Sequence, residues 1–168
     1  GRTANTTLYG VCVNNITLNL NGGTGGTTSG IVKYNDTVIT NTSGGNLTNP
    51  TKANGSASRT VSGFTLTTSG TNATVSSTST LTSSATITYT FNGWHKDSGT
   101  GTKVASNAVK PVLTASNGYT DANGKWNYTT ASATTFYAGW DSSTGSYSSV
   151  TLPTITRTGS TCGWSTDD

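Results

Sequence analysis

Apolar and polar residues alternate with a period of two in several short stretches of the chain. Ile16, Leu18 and Leu20 alternate with Thr17 and Asn19, as expected for a strand with one buried face. Residues 64–67 alternate in the same way, and further short strands are predicted at 31–34, 38–39, 89–94 and 136–140. No apolar pattern of helical period extends over ten or more residues, and strong helix formers other than Ala are few. The sequence therefore predicts an all-β or β-rich fold with short twisted strands and at most one short helix.

The composition suits an ordered β protein with a thin core. Only 30% of the residues are hydrophobic and 9% are charged, both below the usual shares, and Thr, Ser, Asn and Gly fill the difference. Thr is β-branched and favours strands, whereas Asn and Gly favour turns. The chain has four Trp, seven Tyr and three Phe, which argues against disorder because disordered chains are poor in aromatic residues.

The charge pattern argues against nucleic-acid binding. The net charge is +3, and the cations are spaced singly along the chain rather than clustered where they could contact phosphates. No apolar run approaches the ~20 residues of a transmembrane helix, so we predict no membrane insertion by this segment. Because the chain has no Met, we expect it to be processed or excised, with any signal or anchor outside it.

For the segments between the predicted strands, the sequence predicts one structure in some cases and leaves two alternatives in others. Residues 21–26 are mostly Asn and Gly and predict a tight reversal, and residues 42–55 predict a loop. The Ser/Thr-rich stretch 56–88 predicts either two or three thin strands or a disordered linker. Residues 103–113 predict either one helical turn or an extended crossover, because Pro111 limits any helix.

The two cysteines, Cys12 and Cys162, lie near opposite ends of the chain. Free thiols are unusual in a Ser/Thr-rich chain of extracellular character, so we predict a disulfide between them. The bond could lie within one chain or between two chains. Within one chain it would close a loop of about 150 residues, for which chain entropy predicts a stabilisation of about 5 kcal/mol.

No pattern in the sequence predicts an enzyme, a metal site or a cofactor. The single histidine, His95, is predicted to lie in a surface turn, and no Gly-x-Ser-x-Gly nucleophile motif occurs. Asp121, Asn123 and Gly124 resemble the first half of a calcium loop, but the acidic residue that would complete the loop is missing. The two cysteines lack the spacing of zinc ligands.

A short phrase that ends in Gly-Trp occurs twice. Its opening form, YTFNGW, occupies residues 89–94, and its closing form, TTFYAGW, occupies residues 134–140. Broken copies occur at both ends of the chain, with TTLYGVC at 6–12 echoing the closing form and GSTCGW at 159–164 echoing the opening form. A chain that begins with the end of a unit and ends with the start of one is expected from a repeat array or from subunits that join end to end.

Other short elements occur in a fixed order around the two phrases. A strand-like segment ending in Asn-Gly-Gly occupies residues 17–23, Pro-Thr-Lys occupies 50–52, and GTKV occupies 101–104 between the opening and closing phrases. In this order the elements resemble the Listeria–Bacteroides repeat, also known as the B-repeat of internalin-type surface proteins. The resemblance implies a small β-grasp-like or β-sandwich module from a bacterial surface protein, in which residues 56–88 are an insertion.

The resemblance also implies an organisation of the chain. Residues 1–14 would form the closing strand of a preceding half-unit, residues 15–140 the repeat module with its insertion at 56–88, and residues 141–168 the opening half of a following unit. The terminal half-units could then complete one sheet, either within a chain or between successive subunits by strand addition. The two cysteines would lie at that joint.

We therefore predict a non-enzymatic structural or adhesive module of a bacterial cell-surface or extracellular protein, such as a fibre subunit. Its partners would be other copies of itself or neighbouring repeats. The alternative is a carbohydrate-binding module that recognises surface glycans. Its predicted ligand contacts are Trp126, which lies outside both phrases, together with Tyr119 and Tyr128. The competing interpretation is that these aromatic rings are buried, because so thin a core needs their area.

Overall fold

Strands form where apolar and polar residues alternate, and the computed structural model is rich in strands. The structure describes residues 10–61, 73–75, 81–129 and 132–165. The prediction of a β-rich fold is confirmed, and the described residues contain no helix; accordingly, no described segment forms a helix long and apolar enough to cross a membrane. The strands are β1 (Val13–Asn19), β2 (Ser29–Lys33), β3 (Gly55–Val61), β4 (Ala73–Val75), β5 (Leu81–Lys96), β6 (Lys103–Ala105), β7 (Thr134–Thr144) and β8 (Ile155–Arg157).

These strands belong to two compact units. The described residues of the first unit lie within 10–53 and 89–142, and those of the second lie within 54–88 and 143–165. In the first unit the strand order is β2–β1–β7–β5, with β6 paired to β5. β1 pairs antiparallel with β2 and parallel with β7, where Leu18 lies opposite Phe136. The sheet is therefore mixed, and its central strands come from distant parts of the sequence.

The core of the first unit combines the alternating aliphatic residues with the aromatic residues of the repeated phrases. Ile16 and Leu18 of β1 are each 1% exposed, and Trp94 of β5 and Phe136 of β7 are fully buried. Aromatic rings compensate for the low aliphatic content because each buries a large area. The whole cluster comprises Ile16, Leu18, Val32, Ile39, Leu47, Phe91, Trp94, Val104, Ala105, Leu113, Trp126, Phe136 and Ala138.

Strand pairing and hydroxyl contacts stabilise the second unit. β3 pairs antiparallel with residues 81–87 of β5, and β4 pairs antiparallel with β8. Ser83 Oγ donates to the carbonyl oxygen of Ser148, and the Arg59 guanidinium lies 4.1 Å from the centre of the Tyr147 ring. The described part of the Ser/Thr-rich stretch thus contains strands, as the first of the two predicted alternatives expects.

β5 is longer than the sequence predicted. It runs for 16 residues from Leu81 to Lys96 and so joins the end of the Ser/Thr-rich stretch to the phrase at 89–94. The reason is that residues 81–91 contain no Gly, Pro or Asn, so no turn residue interrupts the strand. The alternating residues at 64–67 lie outside the described residues.

The segment 103–113 adopts the extended alternative rather than a helical turn. After β6 the chain returns so that Leu113 bridges Ala105, and Val112 bridges Val38. This return places the segments that follow it, including Tyr119 and Trp126, against the core cluster.

Candidate functional site: a tyrosine-lined cleft

The short sequence elements of the first unit converge around Trp140. The Trp140 Nε1 donates to the carbonyl oxygen of Asn21 at 3.1 Å. The Lys52 ammonium lies 5.6 Å from the centre of the Trp140 ring and 4.7 Å from that of Tyr89. A Cβ atom at Gly23 would lie 2.5 Å from Cζ2 of Trp140, so this position requires glycine. The Asn-Gly-Gly, Pro-Thr-Lys and closing-phrase elements therefore contact one another.

Residues from the repeated phrases and the segments next to them also surround His95. The prediction of a surface turn is wrong, because His95 lies in β5 and is only 9% exposed. Its Nδ1 donates to the carbonyl oxygen of Gly101 at 2.7 Å, and its Nε2 lies 2.9 Å from Oδ1 of Asn92. The Asn92 Nδ2 in turn donates to Asp141 at 2.8 Å. Gly139 permits this burial, since a Cβ atom there would lie 2.3 Å from His95 Nε2.

Together these residues form what we call the motif junction. Their rings and polar groups are engaged with one another, so the repeated phrases act mainly in stabilising the fold. The motif junction comprises Asn21, Gly23, Lys52, Tyr89, Asn92, His95, Gly101, Gly139, Trp140 and Asp141.

A different aromatic group, outside the opening phrase, combines stacked and perpendicular rings. Tyr119 stacks on Trp126 with ring centres 5.5 Å apart and an interplanar angle of 4°. Tyr128 is nearly perpendicular to both rings, at 4.9 Å from Tyr119 and 6.1 Å from Trp126. Because the three distances are similar, Tyr128 stands beside the stack rather than on top of it. At least one face of the Tyr128 ring is therefore not covered by the other two.

The prediction that Trp126 is an exposed ligand contact is wrong. Trp126 is fully buried, and its Nε1 donates to Oδ1 of Asn14 at 2.9 Å. Its ring packs against both Tyr119 and Phe136, whose centres lie 5.5 and 6.3 Å away. The thin core requires this ring, as the competing interpretation expected. Tyr119 is half-buried and Tyr128 is 38% exposed, so these two predicted residues do reach the surface.

A cleft of about 380 Å³ lies beside this aromatic group. Its volume falls at the lower end of the range of small-molecule sites, about 300–1,000 Å³. Residues 134–137 of β7 form part of its wall, and Asp97 follows directly after β5. We call it the tyrosine cleft; three tyrosines, two threonines, one aspartate and one alanine line it, namely Tyr119, Tyr128, Tyr137, Thr134, Thr135, Asp97 and Ala133.

Asp97 gives the tyrosine cleft a negative charge. It is exposed and has a φ of 66°, in the left-handed region that Asp tolerates better than most residues. Burial, followed by the charge of Asp97 and by Tyr128, raises the pKa of Tyr119 above its usual value of 10.0. The Tyr119 hydroxyl is therefore a neutral hydrogen-bond donor at neutral pH. A positive charge is also close, since the Lys96 ammonium lies 5.4 Å from the centre of the Tyr119 ring.

The two cysteines do not form a disulfide with each other, and both thiols are free. The predicted bond within the chain is therefore wrong. Cys12 is exposed just before β1, which pairs with β2 and β7. Cys162 is half-buried after β8, which pairs with β4. The strands next to the two cysteines thus pair with other partners and not with each other. The alternative bond between two chains remains a prediction.

The fragment of a calcium loop closes a turn in this structure. One carboxylate oxygen of Asp121 accepts the backbone N–H groups of Asn123 at 2.8 Å and Lys125 at 2.9 Å. Such a side-chain turn is a common use of Asp in loops. Within the described ranges, no group of three His, Cys, Asp or Glu side chains could hold a metal ion.

The sequence predicted two of the seven residues that line the tyrosine cleft and did not indicate the other five. Tyr119 and Tyr128 were predicted, whereas Asp97, Ala133, Thr134, Thr135 and Tyr137 were not. Tyr137 lies in the closing phrase, but it alternates with the buried Phe136 and so points away from the core side of β7. That alternation is the one signal that could have identified it. The position of Asp97 depends on where β5 ends, which the local sequence does not define.

Comparison with known proteins gave no match to a family model, a curated protein or a solved structure. The resemblance to the Listeria–Bacteroides repeat therefore remains a prediction from the sequence elements alone.

Proposed function

We propose that the chain is a non-enzymatic structural and adhesive module of a bacterial cell-surface or extracellular protein, and that its first unit binds surface glycans in the tyrosine cleft. The resemblance of the sequence elements to surface-protein repeats supports the structural part. The motif junction supports it as well, because those elements bind one another and hold the sheet together.

The tyrosine cleft is the observation that carries the adhesive part of the proposal. Sugars combine weakly apolar ring faces with many hydroxyl groups, so a complementary site needs aromatic faces beside polar side chains. Tyr128 is 38% exposed and has a ring face that Tyr119 and Trp126 do not cover, and Asp97 and Thr135 offer polar groups in the same cleft. The fixed position of Tyr128 beside the Tyr119–Trp126 stack means that little freedom is lost when a ligand binds.

The chemistry of the cleft favours binding over turnover. Glycoside hydrolysis commonly requires two carboxyl groups on either side of the scissile bond. Among the described residues that line the cleft, Asp97 alone carries a carboxylate. His95 is held by Gly101 and Asn92 in the motif junction and does not line the cleft.

Binding to a glycan array, followed by titration calorimetry with the glycans retained, tests this proposal. We expect Tyr128→Ala to weaken binding by about tenfold or more, because it removes the exposed aromatic face. Tyr34→Ala is the matched control, since Tyr34 is 54% exposed and lies outside the tyrosine cleft. A wild-type chain that binds no glycan, or equal losses in the two variants, would overturn the proposal.

Self-association is a second candidate function, and the free cysteines favour it. Cys12 is exposed and lies between Val11 and Val13, which are 64% and 48% exposed. We propose that, in an oxidising extracellular environment, the thiols of Cys12 of one copy and Cys162 of the next form a disulfide, with two electrons and two protons passing to an external oxidant such as dioxygen. This bond would link copies end to end. Non-reducing gels should then show a ladder that reductant removes. Neither single variant, Cys12→Ser or Cys162→Ser, can form this link, so both should remain monomeric, and a ladder that persists in these variants would contradict the link.

A further inference from the structure

We infer that the tyrosine cleft selects neutral sugars that present two adjacent hydroxyl groups, and that Asp97 is the residue that imposes this selection. The inference rests on the proposed glycan binding and adds the chemical class of the ligand. It follows from the charge, the hydrogen-bonding capacity and the ring geometry of the residues that line the cleft.

The charge of the cleft disfavours anionic sugars. Asp97 is the one charged group among the described lining residues. Tyr119, whose pKa is raised, stays neutral beside it. A sugar carboxylate placed within about 4 Å of Asp97 would meet a like charge, which corresponds to a loss of affinity of about fivefold even in a water-like environment. Uronic acids and other acidic sugars should therefore bind poorly.

The same charge does not turn the cleft into a cation site, because Lys96 opposes it. The Lys96 ammonium lies 5.4 Å from the centre of the Tyr119 ring and adjoins Asp97 in the sequence. A ligand ammonium near Tyr119 would meet this fixed positive charge as well as the carboxylate. Lys96 does not line the cleft, so it does not remove the repulsion that a sugar carboxylate meets when it faces Asp97 directly. It does weaken the attraction of Asp97 for an ammonium near Tyr119, so a neutral ligand is favoured.

Hydrogen bonding then defines the side of the sugar that faces Asp97. An ionised carboxylate only accepts hydrogen bonds and has two oxygens to do so. Two hydroxyl groups on adjacent carbons of a sugar ring can donate to these two oxygens together. Such charge-assisted hydrogen bonds are about twice as strong as those between neutral groups. The partly exposed ring of Tyr128, which lines the same cleft, is then available to the apolar side of the sugar ring.

The test compares three sets of oligosaccharides on one array: neutral hexoses, hexuronates and 2-amino-2-deoxyhexoses. We expect the wild-type chain to bind the neutral set at least about fivefold more tightly than the hexuronates. Asp97→Asn keeps the size of the side chain and removes its charge; it should weaken neutral binding by about tenfold or more and reduce the discrimination against hexuronates.

Asp121→Asn is the matched control for the loss of one negative charge. Asp121 does not line the cleft, and an Asn at this position can still accept the two backbone hydrogen bonds that close its turn. It should leave both affinity and discrimination unchanged. Methylation of one hydroxyl of the adjacent pair should weaken binding to the wild type but have little effect on Asp97→Asn.

The outcomes separate this inference from the proposed function. If no set binds, or if binding does not depend on Tyr128, the proposed function fails and the inference fails with it. If binding depends on Tyr128 but hexuronates or amino sugars bind as tightly as neutral hexoses, only the inference is overturned. The same holds if Asp97→Asn and Asp121→Asn behave alike.

Discussion

The motif junction and the tyrosine cleft use similar aromatic residues in the same unit for opposite purposes. At the motif junction, Trp140 and His95 lie against glycines that leave no room for a side chain, and their polar atoms are hydrogen-bonded within the protein. In the tyrosine cleft, Tyr119 and Tyr128 line a space and keep part of their surface exposed. The number of aromatic residues therefore does not indicate a binding site; what distinguishes the two regions is the backbone that faces the rings.

The largest change in stability is expected for Trp126, the buried ring that stacks on Tyr119 of the cleft. Trp126→Ala should destabilise the protein by about 3–5 kcal/mol, because Trp126 is fully buried and its loss leaves a cavity. Urea unfolding measures this change. Tyr128→Ala, in the neighbouring exposed ring, should cost no more than about 1 kcal/mol. Similar losses for the two variants would contradict the distinction between a buried support and an exposed contact.

The second largest loss of stability is expected from a substitution at a glycine of the motif junction. Gly139→Ala places a Cβ atom 2.2 Å from Asn92 Oδ1 and 2.3 Å from His95 Nε2, so His95 or β7 must move. We expect a destabilisation of about 2–3 kcal/mol, typical of an overpacked site. Gly163→Ala is the control, because a Cβ atom there has no neighbour within 4 Å and should change the stability by less than about 0.5 kcal/mol. Equal stabilities of the two variants would show that the motif junction is loosely packed.

The Lys52 ammonium at the motif junction should contribute less to the unfolding free energy. Lys52→Met keeps the apolar stem and removes the ammonium that lies over Tyr89 and Trp140. Contacts of this kind contribute about 0.5–1 kcal/mol at exposed sites, so the unfolding free energy should fall by about that amount. Lys125→Met provides the comparison at an exposed lysine and should leave the stability unchanged. A stabilising effect of Lys52→Met would show that the ammonium contributes nothing here.

The smallest expected effect is a pH dependence that belongs to the cleft. The pKa of Tyr119 is raised in the folded protein by burial, by Asp97 and by Tyr128. Above pH 10.0 the folded protein therefore holds this proton more tightly than the unfolded chain, and the contribution of Tyr119 to stability declines as the pH rises. It is fully present below that pH.

Comparing Tyr119→Phe with the wild type isolates this contribution from the other groups that titrate in alkali. The difference in unfolding free energy should be constant between pH 7 and pH 9 and should shift against the wild type above about pH 10. Asp97→Asn should reduce the shift, since it removes one of its causes. Parallel curves for the wild type and Tyr119→Phe throughout would contradict the prediction.

The sequence predicts the local structure of this protein better than its site. The alternation around Ile16 and Leu18 correctly indicates β1, because a half-buried strand needs only local pattern. Trp126 was misplaced because no local pattern separates a buried tryptophan from an exposed one in a thin core. The tyrosine cleft could not be assembled in advance, since Asp97, Tyr119 and Tyr128 meet only through the return of the chain after β6 and the length of β5.

The parallel pairing of β1 with β7 also bears on how the protein folds. Leu18 and Phe136 are opposite each other in adjacent strands, yet nearly the whole of the first unit separates them in the sequence. Contacts over such distances are slow to form, because the entropy of closing the intervening chain must be met before the contact stabilises anything. We therefore expect β1 and β2 to remain without their central partner until β7 has been synthesised. The sheet of the first unit can therefore be completed only late in the synthesis of the chain.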